Sequence, residues 1–225
     1  MSSGHKYAIE YFNMGGRAEL TRAAFWIGGI PFDDIRVSGE EFGANKAAGK
    51  YPFGQLPVMY VDGECIPQSG AMARYAGRLT GLYPEDPLQA FRVDAILDTI
   101  NDVSNAVGAT FRMSEEEKKT AREGIATNQL PRLVQLLVDL QTKNGGKFIV
   151  GDKLTIADLG ALIVVNGWFG SGILDHIPAS VVTGHEGFQK YINGLKELDE
   201  IKNYLAKSAE AMEKGKADIA ARTGK

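Results

Sequence analysis

The period of apolar and polar positions changes repeatedly along the chain, and each change marks an element. Residues 6–12 alternate around Tyr7, Ile9 and Tyr11, which predicts a first strand. Gly15-Gly16 breaks it, and Leu20, Ala23, Ala24 and Ile27 then recur at helical spacing until Gly28-Gly29. Residues 32–37 predict a second strand, and residues 40–50, rich in Ala and Gly, a weak polar helix or loop. Between Gly54 and Ser69 the pattern gives a strand opened by Pro57, an Asp62-Gly63 turn and a short return strand. Proline donates nothing to a ladder, so Pro57 belongs at a strand's first residue or at an edge. Ser69 occupies the N-cap position of a helix carried by Ala71, Met72, Tyr75, Ala76 and Leu79. A backbone edge beside a helix N-terminus is able to hold a small peptide that carries a carboxylate.

Gly81–Pro87, with two prolines, a glycine and acidic residues, has linker composition, and the pattern beyond it is helical throughout. Val93, Ile96, Leu97, Ile100, Val103 and Val107 form one stripe, which predicts a long helix over 88–111. Ser114 to Glu117 is a capping box; the helix it opens carries Leu130, Leu133, Val134, Leu137 and Leu140, kinks at Pro131 and ends at Asn144-Gly-Gly146. Thr155 to Asp158 repeats the capping pattern before a run, Leu159 to Val165, that is apolar nearly all round and therefore buried. Phe188, Ile192, Leu195 and Leu198 mark one more helix, and the tail from Lys207 is polar and frayed. The organisation is α/β plus all-α. Residues 1–82 form a four-stranded mixed sheet with helices, 83–87 a linker, and 88–225 an all-helical domain.

Composition narrows the function by exclusion. A formal charge of −3 over 225 residues gives no reason to expect nucleic acid or an anionic membrane as partner. No apolar run approaches the roughly 18 residues that span a bilayer, and residues 1–6 lack a hydrophobic signal core. The one cysteine, Cys65, rules out an internal disulfide framework and fits a reducing compartment, so a cytoplasmic location is expected. Cys65 lies mid-strand and reads as a small buried hydrophobe. His5, His176 and His185 have no metal-ligand spacing, and neither a phosphate loop nor a Ser/His/Asp arrangement is present.

Three motifs carry a resemblance. Tyr11-Phe-Asn-Met-Gly-Gly-Arg-Ala-Glu19, Phe53-Gly-Gln-Leu-Pro-Val58, and Gln68-Ser69 with Ala73-Arg-Tyr75 resemble cytosolic glutathione transferases. They are most similar to the sigma class, which includes the glutathione-dependent prostaglandin D synthases. The resemblance runs from about Lys6 to Leu205 and takes in Val93 to Asp98 and Leu154 to Asp158. It implies a thioredoxin-like N-terminal domain that binds glutathione and a helical domain lining the electrophile pocket. The implied reaction is attack of the glutathione thiolate on electrophilic small molecules, a detoxifying conjugation, with glutathione as substrate and no metal required.

The same resemblance assigns roles. Tyr11 is the implied catalytic residue, its neutral phenol donating to the thiolate, and Arg17 in the first turn of the next helix is a second candidate. Leu56-Pro57 is expected to be cis, offering the Leu56 backbone to the cysteinyl residue, while Gln68 and Ser69 hold the γ-glutamyl carboxylate. Phe42 and Lys46 match the aromatic and lysine at the glycyl end, and Gln55 stands where a lysine is common. The loop from Lys46 to Tyr51 is about two residues longer than the sigma pattern, phenylalanine replaces the usual tryptophan, and Lys50 is an alternative to Lys46. Asp94, Asp98 and Asp102 fall on one helix face; Asp102 is implied to reach the glutathione of a second subunit, hence a homodimer. Asn101 stands where an interfacial metal would want a carboxylate, so no metal is expected. Phe53 is either a dimer contact or a core residue, and Phe12, Met14, Phe111 and Met113 are candidates for the electrophile pocket. Two other readings stay open. An isomerase of the prostaglandin D synthase type is disfavoured because its pocket aromatic is not evident near Ala109. A non-catalytic binding or structural relative is disfavoured by Tyr11, Arg17, Gln68 and Ser69.

Overall fold

The computed structural model describes residues 4–224. They divide into two compact units: residues up to Leu82 together with those from Asp199 onward, and Tyr83–Leu198. In the first unit, β1 (Tyr7–Phe12), β2 (Asp33–Val37), β3 (Val58–Val61) and β4 (Glu64–Pro67) form one sheet in the order β2-β1-β3-β4. β1 runs parallel to β2 and antiparallel to β3, and β3 pairs antiparallel with β4, so the sheet is mixed as predicted. Asp62 and Gly63 both take positive φ, 51° and 92°, which suits the twist of a two-residue hairpin.

Helices α1 (Glu19–Ile27), α2 (Gly39–Ala47) and α3 (Ser69–Thr80) complete the βαβ and hairpin plan of this unit. β1 turns Tyr7, Ile9 and Tyr11 to one face, where the Tyr7 ring stands 5.1 Å from that of Phe25 in α1. Glu10 and Phe12 alternate to the other face, and the Phe12 ring lies 5.3 Å from that of Phe42 in α2. The stretch read as a weak helix or loop is a helix because Ser38 and Glu41 form a capping box at its start. Ser69 is the first residue of α3 rather than its N-cap; Gln68 holds the cap position, at φ 82°.

In the second unit α4 (Pro87–Thr110) buries the predicted stripe from Val93 to Val107, and the Asp86 carboxylate caps it by accepting from the Gln89 N–H at 2.9 Å. α5 (Glu115–Gly124) opens on the Ser114–Glu117 capping box. The break expected at Pro131 is taken up by a wide π-helical stretch, Ile125–Gln129, which places Pro131 in the first turn of α6 (Leu130–Lys143). A missing N–H costs little there. α7 (Ile156–Gly160) starts on the Thr155–Asp158 box and runs on as a second π-helical stretch, Ala161–Phe169. The buried Asp158 carboxylate accepts from the Ile149 N–H at 2.8 Å, the Thr155 N–H at 2.9 Å and the Tyr191 hydroxyl at 2.7 Å. α8 (Ser180–Thr183) and α9 (Glu186–Lys196) close the unit, α9 burying Phe188, Tyr191, Ile192 and Leu195.

The last helix corrects the predicted organisation. Residues 88–225 were expected to form one helical domain with a frayed tail, yet α10 (Asp199–Thr223) is continuous and belongs to the first unit. The hydroxyls of Tyr204 and Ser208 donate to the buried Glu19 carboxylate of α1. Few apolar residues of α10 are buried, so its docking leaves no stripe in the sequence.

Candidate functional site

Tyr11 lies one residue before the end of β1, with 8% of its surface exposed. Its hydroxyl abuts a 3-10 turn, Gly16–Ala18, where the Arg17 N–H donates to Oη at 3.5 Å. Gly16 sits at φ 47°, and a Cβ there would come within 2.8 Å of that hydroxyl. Only glycine lets the turn approach so closely. The N–H takes up one acceptor position of the phenol and leaves its own hydrogen to donate elsewhere.

A buried charge network fixes the loop that follows Tyr11. Arg22, fully buried, places its guanidinium carbon 6.0 Å from the Tyr11 ring centre. Its Nε donates to Asp34 at 2.8 Å, and its Nη1 to the Met14 carbonyl at 2.8 Å and to Glu19 at 3.3 Å. Arg36 meets the same Asp34 carboxylate at 2.9 Å through Nε and reaches Asn13 Oδ1 at 3.1 Å. Burial, then the neighbouring Arg22, pull the Arg36 guanidinium below its ordinary pKa, while Asp34 pulls it back up. Two arginines against Glu19 and Asp34 leave the region below Tyr11 without net charge. Arg17 itself is exposed and lies in the 3-10 turn rather than in α1.

The Leu56-Pro57 bond is cis. Leu56 precedes the β3 ladder, and no backbone hydrogen bond among the described residues uses its N–H or C=O. Two positions past the end of the hairpin, Ser69 begins α3, and the Gln68 carbonyl accepts from the Met72 N–H at 3.0 Å. A positive φ on a non-glycine residue, as at Gln68, is a strained backbone of the kind found at ligand clamps.

The two lysines part company. Lys46 on α2 places Nζ 5.8 Å from the Phe42 ring centre and runs past Gly54. Lys50, from the longer loop, turns instead to Glu10, with Nζ 2.9 Å from Oε1. Glu10 is fully buried and also accepts from the Tyr51 hydroxyl at 2.7 Å and the Tyr60 hydroxyl at 2.8 Å. Burial, then the Glu10 carboxylate, push both phenols well above their ordinary pKa. The residue pattern gave no signal for Glu10: its partners are 40 to 50 residues away in sequence. Burial pushes the half-buried Cys65 thiol up as well, away from the thiolate form.

The remaining candidates scatter. Gln55 is exposed, and Phe53 is 61% exposed, which removes the core alternative for it. Phe12 stands between Tyr11 and Phe42, its ring 5.3 Å from each, and Met14 is exposed. Asp102, Phe111 and Met113 belong to the second unit. Asp102 is exposed on α4, and the Phe111 ring centre lies 4.9 Å from the Arg122 guanidinium carbon. Asp94 accepts from the Tyr83 hydroxyl at 2.8 Å. Among the described residues no three His, Cys, Asp or Glu side chains converge on a possible metal position.

Residues 101–208 match the family model for the glutathione S-transferase C-terminal domain. Glutathione S-transferase 1 of Ascaris suum is 32% identical over 205 residues, covering 89% of this chain and 96% of that protein. The chain belongs to the glutathione S-transferase family. The hematopoietic prostaglandin D synthase of Gallus gallus is 39% identical over 153 residues, 68% of this chain and 74% of that one. Among solved structures, the prostaglandin D synthase of Nilaparvata lugens superposes with a TM-score of 0.78 at 28% identity, covering 90% of this chain and 98% of its own. The glutathione S-transferase of Ascaris lumbricoides gives 0.72 at 31%, covering 90% and 97%. The mixed sheet of the first unit is thus the thioredoxin-like half of a glutathione S-transferase fold, and the second unit supplies most of its helical half.

Proposed function

We propose that this protein is a glutathione transferase of the tyrosine type, nearest the sigma class, in which Tyr11 stabilises the thiolate of glutathione. The observation that carries this is the Tyr11 hydroxyl, which accepts from the Arg17 N–H and keeps its own hydrogen for a second partner. A free thiol of pKa ~8.5 needs about two units of depression, or ~2.7 kcal/mol, to be mostly ionised at neutral pH. One hydrogen bond to a charged group supplies about 1.5–3 kcal/mol. A single phenol is therefore nearly sufficient. The thiolate attacks an electrophilic carbon, a C–S bond forms, and the displaced group leaves with its electron pair.

Leu56 offers an unpaired backbone edge to the cysteinyl residue, and Gln68 and Ser69 at the start of α3 suit the γ-glutamyl carboxylate. Lys46 and Phe42, with Gln55 nearby, are assigned to the glycyl end; the salt bridge of Lys50 to Glu10 supports Lys46 over Lys50. Arg17 supports the thiolate from the exposed side of the turn. The exposed Phe53 and Asp102 support a homodimer in which Asp102 serves the neighbouring site. Conjugation of hydrophobic electrophiles in the cytoplasm, a detoxifying role, is the reading this supports, with no metal. The identity to the chicken prostaglandin D synthase favours a second reading, a glutathione-dependent isomerase using the same thiolate. Retention on glutathione-agarose with turnover of chlorodinitrobenzene supports the transferase. Retention without turnover sinks it, and prostaglandin D formation without conjugation selects the isomerase.

A further inference from the structure

The family model ends at residue 208, but α10 continues for four more turns, and those turns are spent on the elements that flank Tyr11. The Asn13 side-chain amide, two residues after Tyr11, donates to the Met212 carbonyl at 3.2 Å. Gly215 is buried there. A Cβ on it would meet Arg36 Cδ at 2.3 Å and Asn13 Oδ1 at 2.5 Å, so the helix lies directly on the network that fixes the loop after β1. Two turns on, Arg222 donates through Nε to Glu41 Oε1 at 2.8 Å and through Nη2 to the Arg36 carbonyl at 2.7 Å.

Glu41 is the residue that caps α2: its carboxylate accepts from the Ser38 N–H at 2.7 Å. α2 itself has no buried residue. A helix without a buried face owes its placement to a few lateral contacts. Those of α2 include the Phe42 ring against Phe12 and Tyr51, the Asn45 bond to Tyr51, and the Arg222 clamp on Glu41. α2 is the element that carries Phe42 and Lys46.

We propose that the C-terminal turns of α10 are a strap that positions the glutathione site, with Arg222 as a positioning residue that holds α2 and hence Lys46 in place. This rests on the assignment of Phe42 and Lys46 to the glycyl end of glutathione. Arg222 bonds to Glu41 and to the Arg36 main chain rather than to Tyr11, so its loss acts on binding of the tripeptide and not on the chemical step.

The test uses the full chain with Arg222→Ala, with Gly215→Leu, whose side chain drives against Arg36 and Asn13 and lifts the helix with Arg222 on it, and with Glu213→Ala, exposed on the same helix, as control. Hydrogen exchange of the α2 amides and the kinetics of chlorodinitrobenzene conjugation are read side by side. Loss of one ion pair at the surface has a small effect, so Arg222→Ala is expected to speed α2 exchange and raise KM for glutathione about threefold each, at unchanged kcat. Gly215→Leu should move both in the same direction by more, and Glu213→Ala neither. Unchanged exchange in Arg222→Ala and Gly215→Leu overturns the strap, as does an equal fall in kcat with KM unmoved. Failure of the transferase reading looks different: the unaltered protein then neither binds nor conjugates glutathione.

Discussion

Replacing Glu10 by leucine removes the acceptor of two hydroxyls at once. Tyr51 and Tyr60 donate to opposite oxygens of the carboxylate, at 2.7 and 2.8 Å, and Lys50 closes on it at 2.9 Å. Glu10 and Tyr51 are buried, Tyr60 is half-buried, and the Lys50 side chain is 41% exposed. A buried donor left without an acceptor costs about 1–3 kcal/mol, so the two hydroxyls together lose about 2–6 kcal/mol. Relief of the desolvated carboxylate and rehydration of Tyr60 work in the other direction, while Lys50 turns to water at a cost of at most about 1 kcal/mol. The expected net loss is about 2–4 kcal/mol for Glu10→Leu and about 1 kcal/mol for Glu10→Gln, which keeps the shape and one acceptor. At about 2–4 °C per kcal/mol for a chain of this size, Glu10→Leu should lower Tm by about 4–16 °C. Calorimetric melts of the three proteins check the order wild type, Gln, Leu. A leucine variant that melts with or above the wild type would mean that the tyrosines need no acceptor on β1.

Lys46→Ala should raise KM for glutathione several-fold, whereas Lys50→Ala should leave it within twofold and instead cost about 0.5–1 kcal/mol of stability; steady-state kinetics and melts separate the two lysines. Asp158→Ala strips the Ile149 and Thr155 amides and the Tyr191 hydroxyl of their acceptor, so urea denaturation should show a loss of about 3–5 kcal/mol. The Glu41 carboxyl is held down at about 2, first by the bond from Arg222 and then by the Ser38 N–H. Its folded pKa lies below its ordinary value, so its contribution is present above the ordinary carboxylate range and lost as pH falls towards about 2. An NMR titration should follow the Glu41 carboxyl to that low midpoint, and Arg222→Ala should move the midpoint upward.

What could be read from the residues is what is encoded locally. Alternation around Tyr7, Ile9 and Tyr11 marked β1, Asp62-Gly63 marked the hairpin, and the boxes at Ser114 and Thr155 marked two helix starts, because each depends on neighbours within four positions. The two π-helical stretches were not legible: one is only five residues long, and the other begins in a run apolar nearly all round, which has no stripe for a widened turn to displace. α10 was misassigned because its anchors are polar and distant: Glu19 for Tyr204, Asn13 for the Met212 carbonyl, Glu41 for Arg222. Glu10 was missed for the same reason. A carboxylate in an alternating strand reads as solvent-facing unless one knows that Lys50, Tyr51 and Tyr60 converge on it. The candidate site divides along the same line. Tyr11, Leu56, Pro57, Gln68 and Ser69 are nominated by contiguous motifs, while the proposed preference for Lys46 over Lys50 draws on the loop's conformation.

Whether one phenol ionises the glutathione sulfur is read out by the ultraviolet absorbance of bound thiolate against pH. In the wild-type complex the midpoint should lie about two units below the ~8.5 of a free thiol. In Tyr11→Phe, with glutathione still bound, it should return upward by more than about one unit, in line with the ~1.5–3 kcal/mol of the lost hydrogen bond. Equal midpoints in the two proteins would mean that the Tyr11 hydroxyl does not stabilise the thiolate.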